Sequence, residues 1–316
     1  MSKSVLSAKH FHDEEAAYAF IEARLWPHGP VCPHCGGFER ISKMKGASTR
    51  LGLYKCYQCR KPFRVTVGSV FEASHIKLHI WLQAIALMSS SKKGISSNQL
   101  HRTLGIGLKA AWFLSHRIRE AMREGELLPM GAAGEIIEAD ETYLWKSSVR
   151  RPSKQRGNRP FTRGGNQGPG GKRAIVSLVQ RGGKVRSFHV ENADKATASA
   201  IVFNNIAEEA RVMTDESRIY NDVDGMVSSH ETVKHRDGEY VRGDVHTNSA
   251  EGFFSIFKRG MKGIYQQCSE KHLHRYLAEF DFRYSNRVKL GINDQARADR
   301  ALLGVVGKRL TYRTIN

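Results

Sequence analysis

The sequence predicts a mixed α/β domain preceded by a small cysteine-pinned ribbon and a helix-turn-helix. Three observations carry that reading. Two C-x-x-C pairs, Cys32-Pro33-His34-Cys35 and Cys56-Tyr57-Gln58-Cys59, are separated by 20 residues. Between 96 and 122 a short helical segment, a Gly-Ile-Gly turn and a longer basic helical segment follow one another. Beyond residue 134, strand-like alternation is interleaved with helical spacing.

The chain opens with a helix over Asp13 to Trp26: an acidic start, apolar Ala16, Tyr18, Ala19 and Leu25, and Pro27 with Gly29-Pro30 as the stop. Each C-x-x-C pair forms a tight turn aiming two thiolates at one ion, and the residues between can run as a hairpin. Chance pairs or a redox dithiol are the competing readings, but two pairs at this separation favour zinc. Coordination by Cys32, Cys35, Cys56 and Cys59 is closed, so the zinc is structural and offers no open position for chemistry. It stabilises such a module by on the order of 10 kcal/mol. Phe63 to Phe71 alternates as a strand (Phe63, Val65, Val67) that closes the ribbon.

From His75 the period changes to helical, through Ile76, Ile80, Trp81, Ala84, Ile85, Leu87 and Met88, until Ser89 to Gly94 breaks it. Ser96 to Leu104 is a short helix with a capping start, and Gly105-Ile106-Gly107 is a turn. Leu108 to Met122 is a helix whose exposed positions are expected to carry Lys109, His116, Arg117 and Arg119. Such a second helix can enter a major groove, which makes Lys109, Arg117 and Arg119 the expected DNA contacts. Many helical bundles share the pattern, and the charge decides between them. Lys plus Arg number 50 against 31 acids, a formal charge of +19 in 316 residues, with a pI near 9.9. Polyanions, nucleic acid first, are the expected partners. A hydrophobic content of 40% marks a folded protein rather than a basic tail. No apolar run approaches the roughly 18 residues of a membrane span, and the N-terminus lacks a secretory h-region. A cytoplasmic, nucleoid-associated protein is expected, with Cys268 as a lone thiol.

The second domain follows a Gly-containing linker over 124–134. Ile136 to Leu144 is a strand. The stretch 146–173 holds nine Lys or Arg and no acid, laced with Gly, Pro and Ser, and reads as a basic loop that cannot bury a core. Ala174 to Val179 and Val185 to Val190 form a hairpin about Gly182-Gly183. A helix over Ala193 to Ala207, a strand over Val212 to Asp215, a strand over Tyr240 to Val245 and a helix over Asn248 to Met261 come next. A last amphipathic helix, Lys271 to Asn286, turns Leu273, Tyr276, Leu277, Phe280 and Tyr284 inward. This order is that of an RNase H-like α/β domain. The expected limits are 1–72 for the first helix and ribbon, 73–127 for the helix-turn-helix, 128–290 for the RNase H-like domain and 291–316 for a C-terminal tail.

Three carboxylates stand out. Asp140 follows Glu135-Ile136-Ile137-Glu138-Ala139, Asp215 follows Arg211-Val212-Met213-Thr214, and Glu251, with 35 residues between it and Asp215, ends His246-Thr247-Asn248-Ser249-Ala250-Glu251. Brought together they would repel one another unless divalent metal lay between them, and two-metal sites serve displacement at phosphodiesters. With Glu138-Ala139-Asp140-Glu141-Thr142, Thr214-Asp215-Glu216, His246 to Ser255, Phe257-Lys258-Arg259-Gly260 and Lys271 to Tyr284, the chain resembles the DDE transposases of bacterial insertion sequences. The resemblance is strongest to the group with an N-terminal zinc ribbon and helix-turn-helix and runs from Trp26 to about Arg287. Only the His-Thr-Asn-Ser-x-Glu stretch is specific by itself.

The resemblance implies two Mg²⁺ held by Asp140, Asp215 and Glu251, and DNA cleavage followed by strand transfer. It also implies binding to terminal inverted repeats and target DNA as a homodimer or larger synaptic assembly. Lys258, two helical turns after Glu251, would contact the reacting phosphate beside Arg259, and His246 would orient water or DNA or make a structural hydrogen bond. Several alternatives stay open. Glu138 is a second choice for Asp140, and Glu216, Asp222 and Asp224 compete with Asp215. Asn248-x-x-Glu251 also reads as a capping box, and Asn248 is the alternative third ligand. Two other functions compete: a non-catalytic DNA-binding regulator, and a zinc-ribbon factor that binds RNA.

Overall fold

The computed structural model describes residues 4–125, 128–146 and 172–311. The basic loop expected over 146–173 lies outside the described residues except at its ends. In chain order the elements are α1 (Glu14–Leu25), β1 (Ile41–Lys43), β2 (Tyr54–Cys56), β3 (Pro62–Phe63), α2 (Leu78–Ser90), α3 (Ser97–Leu104) and α4 (Leu108–Met122). They continue as β4 (Ile136–Lys146), β5 (Lys172–Gln180), β6 (Val185–Val190), α5 (Lys195–Asn205), β7 (Arg211–Asp215), β8 (Ser229–Val233), α6 (Asn248–Gly260), α7 (Leu273–Ser285) and α8 (Asp294–Leu303). The chain forms two compact units, one of Met1–Gly125 with Asn286–Asn316 and the other of Glu126–Ser285.

In the first unit Asp13 caps α1 by accepting from the Ala16 N–H at 2.8 Å, with Glu14 and Glu15 in the first turn. Glu14 serves a second helix as well. Its carboxylate accepts from the Leu78 and His79 N–H groups at 2.9 and 3.1 Å, capping α2, which has no capping side chain of its own. β1, β2 and β3 form an antiparallel ribbon whose small core is Trp26, Tyr54 and Phe63, packed edge-on and stacked. Glu22 of α1 fastens the ribbon by accepting from Tyr54 Oη at 2.8 Å. The strand expected to run to Phe71 stops at Phe63. Val65, Val70 and Phe71 are buried, but in turns, so their burial and not their backbone produced the alternation.

The segment 291–316, expected as a tail, carries α8 and groups with the first unit. Arg297 makes it structural: its guanidinium donates to the Ser89 and Asn286 carbonyls at 2.9 and 2.7 Å. A Cβ on Gly304 would lie 2.2 Å from the Ala121 carbonyl oxygen, so only glycine permits the close approach of α8 to α4 there.

The second unit is an RNase H-like fold. Its five strands lie in the order β6-β5-β4-β7-β8, with β4, β5 and β6 an antiparallel meander and β7 and β8 parallel to β4. Alternation along β4 and β5 sorts two cores. Ile137, Ala139, Val176 and Leu178 face α5, while Leu144, Ile175 and Val179 face α6 and α7. Glu138 and Asp140 therefore point to the α6 side. The fifth strand is Ser229–Val233, not the expected Tyr240 to Val245, which holds only a bridge between Arg242 and Val245. The polar run Ser-His-Glu-Thr lacks the apolar alternation that marks a strand, and the sheet edge recruits it through pairing with β7.

Candidate active site and metal centre

The four ribbon thiols meet at one point. Cys32 and Cys59 sulfurs are 3.6 Å apart, Cys35 and Cys56 sulfurs 3.7 Å, and all four lie within 4.8 Å of one another. Tetrahedral zinc with bonds of about 2.3 Å requires sulfur edges of about 3.8 Å. Backbone N–H groups of Cys59 and Gln58 draw the Cys56 thiol down to about 7, which favours the thiolate a metal needs. The cluster suits zinc.

On the second unit, β4 and β7 pair in register up to Glu138 and Met213. Asp140 and Asp215 each lie two residues further on, adjacent and on one face. Asp215 ends its strand, whereas Asp140 sits midway along an 11-residue β4 that outruns its parallel neighbour. Burial, then the charges of Asp215, Glu141 and Glu251, push the Asp140 carboxyl up to about 8. Burial raises Asp215 as well. Carboxylate oxygens standing side by side are the hard donors that a divalent cation such as Mg²⁺ takes.

Glu251 lies in the first turn of α6 with its side chain 51% exposed, 3.9 Å from His235 Nδ1. Among the described residues, only the cysteines bring three or more ligand atoms within 4.8 Å of one another. The carboxylate trio is thus more open than one ion's ligand shell. The expected capping box is not formed: Thr247 is the N-cap, no side chain caps it, and the Glu251 N–H donates to the Thr247 carbonyl. The Glu251 carboxylate is left for other work. Asn248 is exposed, and its N–H faces His246 Nδ1 at 3.4 Å.

Glu138 is fully buried and accepts from Arg181 Nε at 2.6 Å and from the Ser249 and Ala250 N–H groups at 2.6 and 3.0 Å. Those donors engage both carboxylate oxygens, so Glu138 serves the packing of α6 on β4, whereas Asp140, among the described residues, accepts from the Glu141 N–H alone. Glu216 is likewise used, accepting from the His235 and Arg236 N–H groups. Asp222 and Asp224 pair with Lys195 and His230. Glu141 points to the opposite face, where Ser217 Oγ donates to it at 3.1 Å while the Ser217 N–H donates to Asp215. Lys258 on α6 is lowered by burial, against the opposing pull of the Asp140 charge. Arg259 is exposed and folds back on Ser255.

The helix-turn-helix departs from expectation in its arginines. Arg117 and Arg119 are 4% and 1% exposed, and His116 is buried with them. Arg117 stacks over Trp81 and Phe113 and donates to the Glu72 carbonyl, and Arg119 donates to Ser115 Oγ at 3.0 Å. Charge on a helix was read as exposure, whereas the long stems of these arginines lie in the interior with their heads hydrogen-bonded. Lys109 is exposed at the start of α4, as is Arg102 on α3. Arg117→Ala is therefore expected to cost about 2–4 kcal/mol of stability, read by urea unfolding. DNA affinity measured well below the melting temperature should change less than twofold. Lys109→Ala should do the reverse, leaving stability intact and lowering the salt dependence of binding by about one ion.

Residues 132–285 match the ISXO2-like transposase domain, and residues 12–62 match the transposase zinc-ribbon domain. The chain carries an ISXO2-like transposase domain and a transposase zinc-ribbon domain. A protein of the transposable element ISH50 from Halobacterium salinarum, itself uncharacterised, is 29% identical over 288 residues, covering 88% of this chain and 93% of that protein. Among solved structures, a pre-cleavage Mos1 transpososome aligns over 71% of this chain and 74% of that one, at 13% identity and a TM-score of 0.26. No helix among the described residues of this transposase is long and apolar enough to cross a membrane. Glu141 and His235 join the carboxylates of the transposase without having been singled out from sequence. His235 lies in a polar stretch with no period. Glu141, adjacent to Asp140, differs from it only in which side of β4 it faces.

Proposed function

We propose that this transposase binds the terminal inverted repeats of its element through the ribbon and helix-turn-helix, and cuts and joins DNA at Asp140, Asp215 and Glu251. The observation that supports this reading most directly is the convergence of β4, β7 and α6 on one sheet face, each bearing a carboxylate, in a chain of charge +19. Asp140, Asp215 and Glu251 would hold two Mg²⁺. When bound, the metal supplies charge neutralisation and Lewis acidity for in-line displacement at a phosphodiester. A rotation of Glu251, which its exposure permits, would bring its carboxylate to the buried pair. Lys258, two turns along the same helix, would face the scissile phosphate. No protein side chain needs to attack phosphorus, so positioning and charge are the protein's share.

Bringing two element ends and a target together calls for a homodimer or larger assembly, working on the nucleoid. The regulator reading is disfavoured by the presence of all three carboxylates, and the RNA-factor reading by the size of the second unit. Full-length zinc-loaded protein incubated with supercoiled plasmid bearing the element's ends is expected to nick at those ends with Mg²⁺ and to bind without cutting in Mg²⁺-free buffer. Specific binding that never proceeds to cleavage in Mg²⁺ or Mn²⁺ would identify a regulator. Tight RNA binding with no preference for the repeats would identify an RNA factor.

A further inference from the structure

Glu138 precedes Asp140 by two residues, shares its face of β4 and is fully buried. A buried carboxylate persists only where fixed donors replace water. Here one oxygen takes Arg181 Nε at 2.6 Å and the other takes the Ser249 and Ala250 N–H groups at 2.6 and 3.0 Å. Those two amides belong to the first turn of α6, whose N–H groups have no partner within the helix and favour an anion. Arg181 extends the clamp, donating to the Asp244 and His246 carbonyls at 2.6 and 2.9 Å and to His246 Nδ1 at 2.9 Å. The segment leading into α6 and the start of α6 are thus tied to the strand that carries Asp140. Glu251 is the residue after Ala250.

We propose that Glu138, with Arg181, is a positioning residue that sets the distance of Glu251 from Asp140 and Asp215 and so the affinity of the site for divalent metal. This rests on reading the three carboxylates as the metal-holding set. Glu138 touches neither metal nor substrate. It works through the backbone of α6, and the α6 N-terminus forms at the correct height above the sheet because a carboxylate stands beneath it. An amide at 138 would turn an NH₂ toward either Arg181 or the helix N–H groups, breaking one half of the clamp.

The test uses the full chain, with Mn²⁺ as the metal probe. Hydrogen–deuterium exchange of the zinc-loaded protein without Mg²⁺ or Mn²⁺ should show the Ser249 and Ala250 amides protected, and Glu138→Gln should release them. Titration followed by electron paramagnetic resonance should show Mn²⁺ binding weakened about 10- to 100-fold in Glu138→Gln. Cleavage at saturating metal should fall about 100-fold, while repeat binding by the zinc-loaded protein in Mg²⁺-free buffer stays within twofold of the parent. Glu138→Asp, which keeps the charge, should recover part of the metal affinity. If Glu138→Gln fails to fold, Arg181→Lys gives the same comparison, since it keeps the charge and loses the fork. Faster exchange at 249 and 250 with unchanged Mn²⁺ affinity would overturn the proposal and leave Glu138 a stabilising contact only. Asp140→Asn run in parallel separates the two ideas. If it binds Mn²⁺ like the parent, the metal-site reading fails first and takes this proposal with it.

Discussion

Asp140→Asn is expected to lower strand cleavage by about 10³-fold or more while repeat binding in the absence of metal stays near that of the parent. The substitution is isosteric and keeps the hydrogen bond that the side-chain oxygen accepts from the Glu141 N–H at 2.7 Å, so the sheet should survive it. What it removes is the charge that a divalent cation would meet. Retained cutting would place the active site elsewhere.

The same residue makes a pH prediction. Burial and the charges of Asp215, Glu141 and Glu251 hold the folded Asp140 carboxyl at about 8, against about 3.9 in an unfolded chain. Between those values the folded state keeps a proton that the unfolded state releases. Its contribution to stability is therefore fully present below about pH 4 and is lost as pH rises through about 8. In Mg²⁺-free buffer the zinc-loaded parent should lose melting temperature relative to Asp140→Asn as pH is raised from 5.5 to 8.5. Bound Mg²⁺ would take the place of that proton, so stabilisation by the metal should grow over the same range. Differential scanning fluorimetry of both proteins, with and without Mg²⁺, reads each difference. Parallel pH curves for parent and variant in Mg²⁺-free buffer would show that Asp140 is not held in its acid form.

Removal of zinc is the second large effect. The ribbon core consists of Trp26, Tyr54, Phe63 and a few neighbours around Cys32 and Cys56, far too little apolar surface to hold three short strands together. Zinc would supply on the order of 10 kcal/mol. Cys56→Ser, Cys32→Ser or a strong chelator should unfold the ribbon, expose the remaining cysteines to thiol reagents and weaken repeat binding at least about tenfold. Metal analysis should fall from one zinc per chain to none. A ribbon that keeps its thiols protected after zinc is stripped would show that packing alone suffices.

Several features were legible in the sequence because they are local. The two C-x-x-C turns, the helix at Leu108–Met122 and the strand at Val185–Val190 each follow from spacing within a few residues. The β8 strand was not legible: Ser229–Val233 is polar and owes its conformation to hydrogen bonds from β7. The buried state of Arg117 and Arg119 was equally hidden, since a helical period places charges on a face but does not say whether that face meets water or Trp81. The helix at Asp294–Leu303 passed for a tail because its holding contact, Arg297 to the Ser89 carbonyl, spans most of the chain.

The sequence by itself determined the zinc cage and the order of the α/β elements, because both rest on residue type and short-range period, and resemblance to the DDE transposases picked out the carboxylates proposed for metal. Tertiary structure alone decided which of the neighbouring acids hold the fold and which stands beside Asp215. Glu138, Asp140 and Glu141 are consecutive or nearly so, yet one pins a helix, one faces Asp215 and one supports the turn beyond it. Their chemistry is the same; what separates them is the side of β4 each faces and the donors that folding brings to it.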